Sequence, residues 1–146
     1  MELYTVSVQG KRSGVDNGRD LIFLGLNPSK LKVSVGRNTA HIRFTEWLDI
    51  LGLKSAHFAN LSPDPEWDMK FKTFDHDDVK TGLAEYNKIV TWGDKVSNYI
   101  KRLGILNHCV IPHPSGLNRK INDHKYVMHT LEKCKEYIYE NNYSVG

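Results

Sequence analysis

The chain has 146 residues, 40% of them hydrophobic, enough for one domain with a real core. No run nears the roughly 18 uninterrupted apolar residues that a membrane span needs. A net charge of +3 is compatible with a nucleic-acid partner without requiring one. The opening Met1-Glu2-Leu3-Tyr4-Thr5 lacks the basic-then-apolar order of a secretory leader, so a cytoplasmic protein is expected. Two thiols, Cys109 and Cys134, exclude a four-thiolate iron–sulfur cluster. They are distant in sequence and form no CxxC, so in a reducing compartment two separate thiols are favoured over a disulfide or a metal pair.

In chain order, Leu3, Thr5 and Ser7 alternate with Tyr4 and Val6, which predicts a short edge strand, and residues 10–18 read as turn and loop. The apolar run 21–26 suits a buried parallel strand. Over residues 38–51 the positions Ile42, Phe44, Trp47, Leu48, Ile50 and Leu51 mostly keep helical spacing, and Gly52 supplies a stop. A second strand is predicted at 56–61, then a polar connection at 64–74 and a helix over 77–86 with acidic residues at its start. Lys88–Trp92 reads as the third parallel strand. Gly93 allows a tight turn into a helix at 94–103, which Gly104 ends. Cys109–Ile111 is the fourth, and Asp123 caps a last helix running to about residue 140. Strands interleaved with helices imply one three-layer α/β/α domain around a central four-stranded, mostly parallel sheet.

Two short peptides stand at the ends of these strands: Gly25-Leu26-Asn27-Pro28-Ser29 and His113-Pro114-Ser115-Gly116-Leu117-Asn118-Arg119. Asn60 ends the second strand within Phe58-Ala59-Asn60. Carboxyl ends of parallel strands are where open α/β sheets build ligand crevices, so Asn27, Asn60 and His113 are expected to converge. Basic residues follow both peptides (Lys30, Lys32 and Arg37, then Arg119 and Lys120), while acidic ones gather at 64–78. Trp92 reads as packing beside the turn at Gly93, and the tail tyrosines Tyr137, Tyr139 and Tyr143 as helix packing and a fraying end. The spacing of His108 with His113, and of His124 with His129, suits no common zinc pattern.

In this order the three motifs resemble those of the uracil-DNA glycosylase superfamily, over most of residues 21–125. Gly25-Leu26-Asn27-Pro28 is similar to the first motif of the mismatch-specific and single-strand-selective branches. His113-Pro114-Ser115 is similar to the second motif of the single-strand-selective and main branches, and Gly116-Leu117-Asn118-Arg119 to its mismatch-specific form. The resemblance implies a glycosylase-like fold and metal-independent, cofactor-free hydrolysis of the bond between a modified pyrimidine and its sugar. Asn27 would hold the attacking water, and His113 would donate to the O2 atom where negative charge develops. An amide is no strong general base, so slower chemistry than a carboxylate gives is expected. Asn60 would read the base edge, with Gly25, Leu26, Pro28 and Ser29 around it.

The partner would be DNA, met by a monomer, with the base flipped out of the stack. Leu117 would wedge into the gap, flanked by Ser115, Gly116 and Asn118, while Lys30, Arg119 and Lys120 meet phosphates. Ser29 stands where the main uracil-specific branch has a bulky tyrosine, which implies tolerance of 5-substituted uracils. The chain departs from the pattern at Val33-Ser34-Val35-Gly36-Arg37, where a base-stacking aromatic is expected and none occurs; the nearest are Phe44 and Trp47 on the helix. Base stacking contributes about 1–3 kcal/mol. Its absence favours an alternative, a module of this fold that binds DNA, a nucleotide or a protein without catalysis; a further alternative is an enzyme of the same fold acting on a free nucleoside, a nucleotide or a glycosylated base.

Overall fold

The computed structural model describes residues 2–7, 12–13, 20–26, 39–61, 75–114 and 119–140. Its strands are β1 (Glu2–Ser7), β2 (Arg12–Ser13), β3 (Leu21–Gly25), β4 (Ser55–Asn60), β5 (Lys88–Trp92) and β6 (Cys109–Ile111). Its α-helices are α1 (Thr39–Ile50), α2 (His76–Leu83), α3 (Asp94–Arg102) and α4 (His124–Tyr139). The four expected parallel strands form in the order β4-β3-β5-β6, with helices on both faces. The sheet is wider than expected. β1 runs antiparallel along β4, and β2 extends it outward, giving six strands among the described residues. The edge expected at residues 3–7 is therefore covered by residues 12–13, which carry no strand pattern of their own.

Alternation along each strand sorts the core into two layers. Phe23 of β3, Phe58 of β4 and Ile111 of β6 meet Phe44, Trp47 and Leu48 of α1 and Val127 and Leu131 of α4. On the opposite face Ile22, Leu24, Ala59 and Ile89 meet Val79 and Leu83 of α2 and Val96, Tyr99 and Ile100 of α3. These side chains are almost wholly withdrawn from water. At about 1.5–3 kcal/mol each, such burial is the main term opposing chain entropy.

Local signals set the element ends. Asp75 caps α2 by accepting from the Asp78 N–H at 3.0 Å, and Asp123 caps α4 by accepting from the Tyr126 N–H at 3.1 Å. Gly93 turns from β5 into α3 with φ +82°, a region other residues enter at a cost, while its N–H donates to the Ile111 carbonyl at 2.8 Å. That bond ties the ends of β5 and β6 together.

The connections place a crevice. From β3 the chain passes through α1 to β4 on one side. From β4 it returns through α2, past β3, to β5, and α3 leads on to β6. The direction of winding thus reverses between β3 and β5, and ligands of open α/β sheets bind outside the carboxyl ends of strands at such a reversal.

Candidate functional site

Gly25 ends β3 in register with Asn60, the last residue of β4. The Leu61 N–H donates to the Gly25 carbonyl at 3.0 Å, locking the two strand ends. A Cβ at position 25 would lie 2.8 Å from Asn60 Oδ1 and 2.8 Å from Phe58 Cζ, closer than packed atoms tolerate. Only glycine lets the amide of Asn60 and the ring of Phe58 lie across the end of β3. The same gap lets the Phe58 ring reach over β3 to Trp92 on β5, with ring centroids 4.5 Å apart. Leu26 turns the other way and packs against the α2/α3 core.

His113 follows β6 after the buried Pro112, two residues beyond the last strand position. Its half-buried imidazole stands edge-on to Trp92, centroids 5.2 Å apart at 70°. Burial pushes its pKa below the ordinary histidine value, so the ring is neutral at pH 7 and keeps one N–H donor. The next carbonyl, of Pro114, accepts a 2.6 Å hydrogen bond from Arg43 Nη1 of α1. Helix α1 therefore fixes the start of the second motif from the same face that holds Phe44, whose ring meets Trp92 at 4.8 Å. The indole Nε1 of Trp92 is buried and has no hydrogen-bond partner among the described residues. A buried donor without an acceptor costs about 1–3 kcal/mol.

Asn60, Gly25, Phe58, Trp92 and His113 thus form a continuous strip on the α1/α4 side of the carboxyl edge, centred on the β3/β5 reversal. Of the residues the sequence singles out, the strip gathers Gly25, Asn60 and His113. Asn27, Pro28, Ser29, Lys30, Ser115, Gly116, Leu117 and Asn118 lie outside the described residues. Arg119 and Lys120 open a single 3-10 turn, Arg119–Asn122, just before α4; of this pair only the backbone is described. Phe44 and Trp47 lie on the helix as expected and are buried in the core, at 1% and 5% exposure, so neither presents an open ring face.

Three participants were not read as site residues from the sequence: Trp92, Phe58 and Arg43. Trp92 carried a usable signal, since it ends a parallel strand as the other site residues do. Arg43 carried none, being one charged residue on an amphipathic helix. Among the described residues no group of three or more histidine, cysteine or acidic side chains could hold a metal ion, and no helix is long and apolar enough to cross a membrane. Comparison of the chain with protein-family models, curated proteins and solved structures finds no match.

Proposed function

We propose that this protein is a monofunctional DNA glycosylase that hydrolyses the N-glycosidic bond of uracil, or of a 5-substituted uracil, in DNA. One observation carries the reading: a neutral, half-buried His113 and an amide at Asn60 stand on one side of the sheet's carboxyl edge, joined by an aromatic floor. Breaking the glycosidic bond leaves positive charge on the sugar and negative charge on the departing pyrimidine, mostly at O2. A fixed neutral donor there stabilises the leaving anion without adding a proton, and a water-poor site strengthens it. The Asn60 amide offers one acceptor and a pair of donors, the set that separates uracil from cytosine. Asn27 holds the water that attacks the sugar carbon; no lysine adduct forms and no metal takes part. Arg119 and Lys120 supply phosphate contacts, with Lys30 on the opposite motif.

The test is an abasic-site assay on oligonucleotides carrying uracil or 5-hydroxymethyluracil. The wild type is expected to release both bases, and Asn27→Ala neither above background. Ser29→Tyr is expected to keep uracil release and lose the 5-substituted base. Unchanged release of 5-hydroxymethyluracil by Ser29→Tyr overturns the steric account of specificity. Equal background from wild type and Asn27→Ala overturns the enzyme. That outcome favours the second reading, a DNA-binding module of this fold, for which the want of an aromatic at residues 33–37 speaks. Binding would then persist and weaken steeply with salt, because a polyanion releases counterions.

A further inference from the structure

The chain's two cysteines lie on elements that pack together. Cys109 opens β6, half-buried, and Cys134 lies fully buried where α4 packs on that strand. Both belong to the α1/α4 layer of the core, on two elements that pack directly against each other. Between them in sequence lies the whole second motif, His113 to Arg119. We propose that Cys109 and Cys134 are a peroxide-oxidisable dithiol, whose intramolecular disulfide fastens α4 to β6 and closes the chain around that motif.

The two thiols have unequal roles. Hydrogen bonding from Cys134 lowers the pKa of Cys109, with smaller help from the Val110 backbone and the Lys133 charge, against the opposing effect of burial. The same pairing and burial hold Cys134 protonated. Cys109 is thus the more acidic of the two thiols and the one that solvent reaches, so it is the sulfur that gives up its proton to react with peroxide. Its sulfur attacks one peroxide oxygen; the O–O bond breaks, the departing hydroxide takes a proton to leave as water, and Cys109 becomes a sulfenic acid. With its charge gone, Cys109 no longer holds the Cys134 proton in place. The Cys134 sulfur then attacks the sulfenic sulfur, an S–S bond forms as the S–O bond breaks, and the hydroxide released takes the Cys134 proton and departs as a second water. Two thiols are oxidised and one hydrogen peroxide is reduced to two waters. The chemistry stands whether or not the chain excises bases.

The experiment treats the reduced full chain with hydrogen peroxide, denatures it in acid with an alkylating agent, and reads intact mass and peptide map. The expected product is a monomer lighter by two hydrogens, with neither cysteine alkylated, one peptide joining positions 109 and 134, and reversal by dithiothreitol. It is expected to melt several degrees above the reduced protein, since the crosslink restricts the unfolded chain. In Cys134→Ser, Cys109 is expected to stop at a dimedone-trappable sulfenic acid before passing to sulfinic acid. Two alkylatable thiols after peroxide in the wild type, or Cys109 modified alone with Cys134 still alkylatable, overturns the dithiol without reference to any variant. An oxidised form that melts no higher than the reduced one overturns the fastening.

Discussion

On the α2/α3 face, two polar side-chain pairs close against the sheet, although the buried Nδ1 of His108 there has no partner among the described residues. His57 Nδ1 meets the Tyr86 hydroxyl at 2.5 Å, and His76 Nδ1 meets the Tyr99 hydroxyl at 2.9 Å. On the α1/α4 face, the carboxyl edge is finished differently. It has a glycine that leaves no room for a Cβ, an amide laid across it, and an indole N–H with no acceptor among the described residues. Both faces bury comparable aliphatic cores, so hydrophobic demand does not explain the contrast. Satisfied pairs stiffen a structure, whereas a buried polar group left over is uncommon on either face. Under the proposed function, one sheet holds a structural face and a functional edge, separated only by strand alternation.

The largest effect expected is on the proposed excision. His113→Ala should lower the rate about 100- to 1,000-fold, the usual cost of removing one donor to a developing anion. His57→Ala, on the closed face, should leave it within about threefold, because its partner is a structural tyrosine and surface or structural changes act through stability instead. Single-turnover release of uracil measures both. Comparable losses in the two variants would break the division between the faces.

Next comes Gly25→Ala. The added methyl meets Asn60 Oδ1 and Phe58 Cζ at 2.8 Å, and forcing such contacts apart costs about 1–3 kcal/mol. Because the Phe58 ring also supports Trp92, the displacement should reach the imidazole of His113 and depress excision along with stability. Urea unfolding reads the first and base release the second. Adding Asn60→Ala should recover only part of the stability, since the ring clash remains. Tyr99→Phe is the smaller counterpart on the closed face. Tyr99 is buried, with a pKa pushed up to about 12 by burial first and the Asp75 charge second, so its hydroxyl stays a protonated partner of His76. Losing that hydrogen bond should cost about 1 kcal/mol, with excision untouched.

How much of this was legible in the sequence depends on whether a feature is local. The runs of β3 and β5 and the cap at Asp123 carry their own signals in neighbouring residues, so strands, helices and their order could be read. The pairing of β1 with β4 and the two-residue β2 could not, because strand partners are chosen across long sequence separations and Arg12–Ser13 has no pattern to show. Gly25, Asn60 and His113 were legible as strand-end residues. What Gly25 does was not: its reason lies in two rings, Phe58 and Trp92, brought from strands on either side. Cys109 and Cys134 were hidden likewise, since only the docking of α4 on β6 makes a pair of them.

The gentlest effect should appear in the pH dependence of stability, and it brings the two faces into direct comparison. His113 on the open edge has its pKa lowered by burial. His108, whose Nε2 meets the Ser97 hydroxyl of α3 at 2.7 Å, has its pKa lowered by burial first and the Lys101 charge second, partly opposed by the Ile105 backbone. Each ring therefore binds a proton less readily folded than unfolded. The stability each supplies is complete above the unfolded value, about pH 6.5, and is lost as pH falls from there toward the lower folded value. The melting temperature should accordingly decline as pH is taken from about 7 to 5.5, a window chosen above the ordinary carboxylate range. His113→Ala and His108→Ala should each flatten part of that slope, and the double variant most of it. The proposed excision distinguishes them, because it calls for a neutral donor at His113 and none at His108. The acid limb of the rate profile should remain in His108→Ala at its wild-type position, below about pH 6.5. A limb that shifts when His108 is replaced would place the titrating group on the closed face.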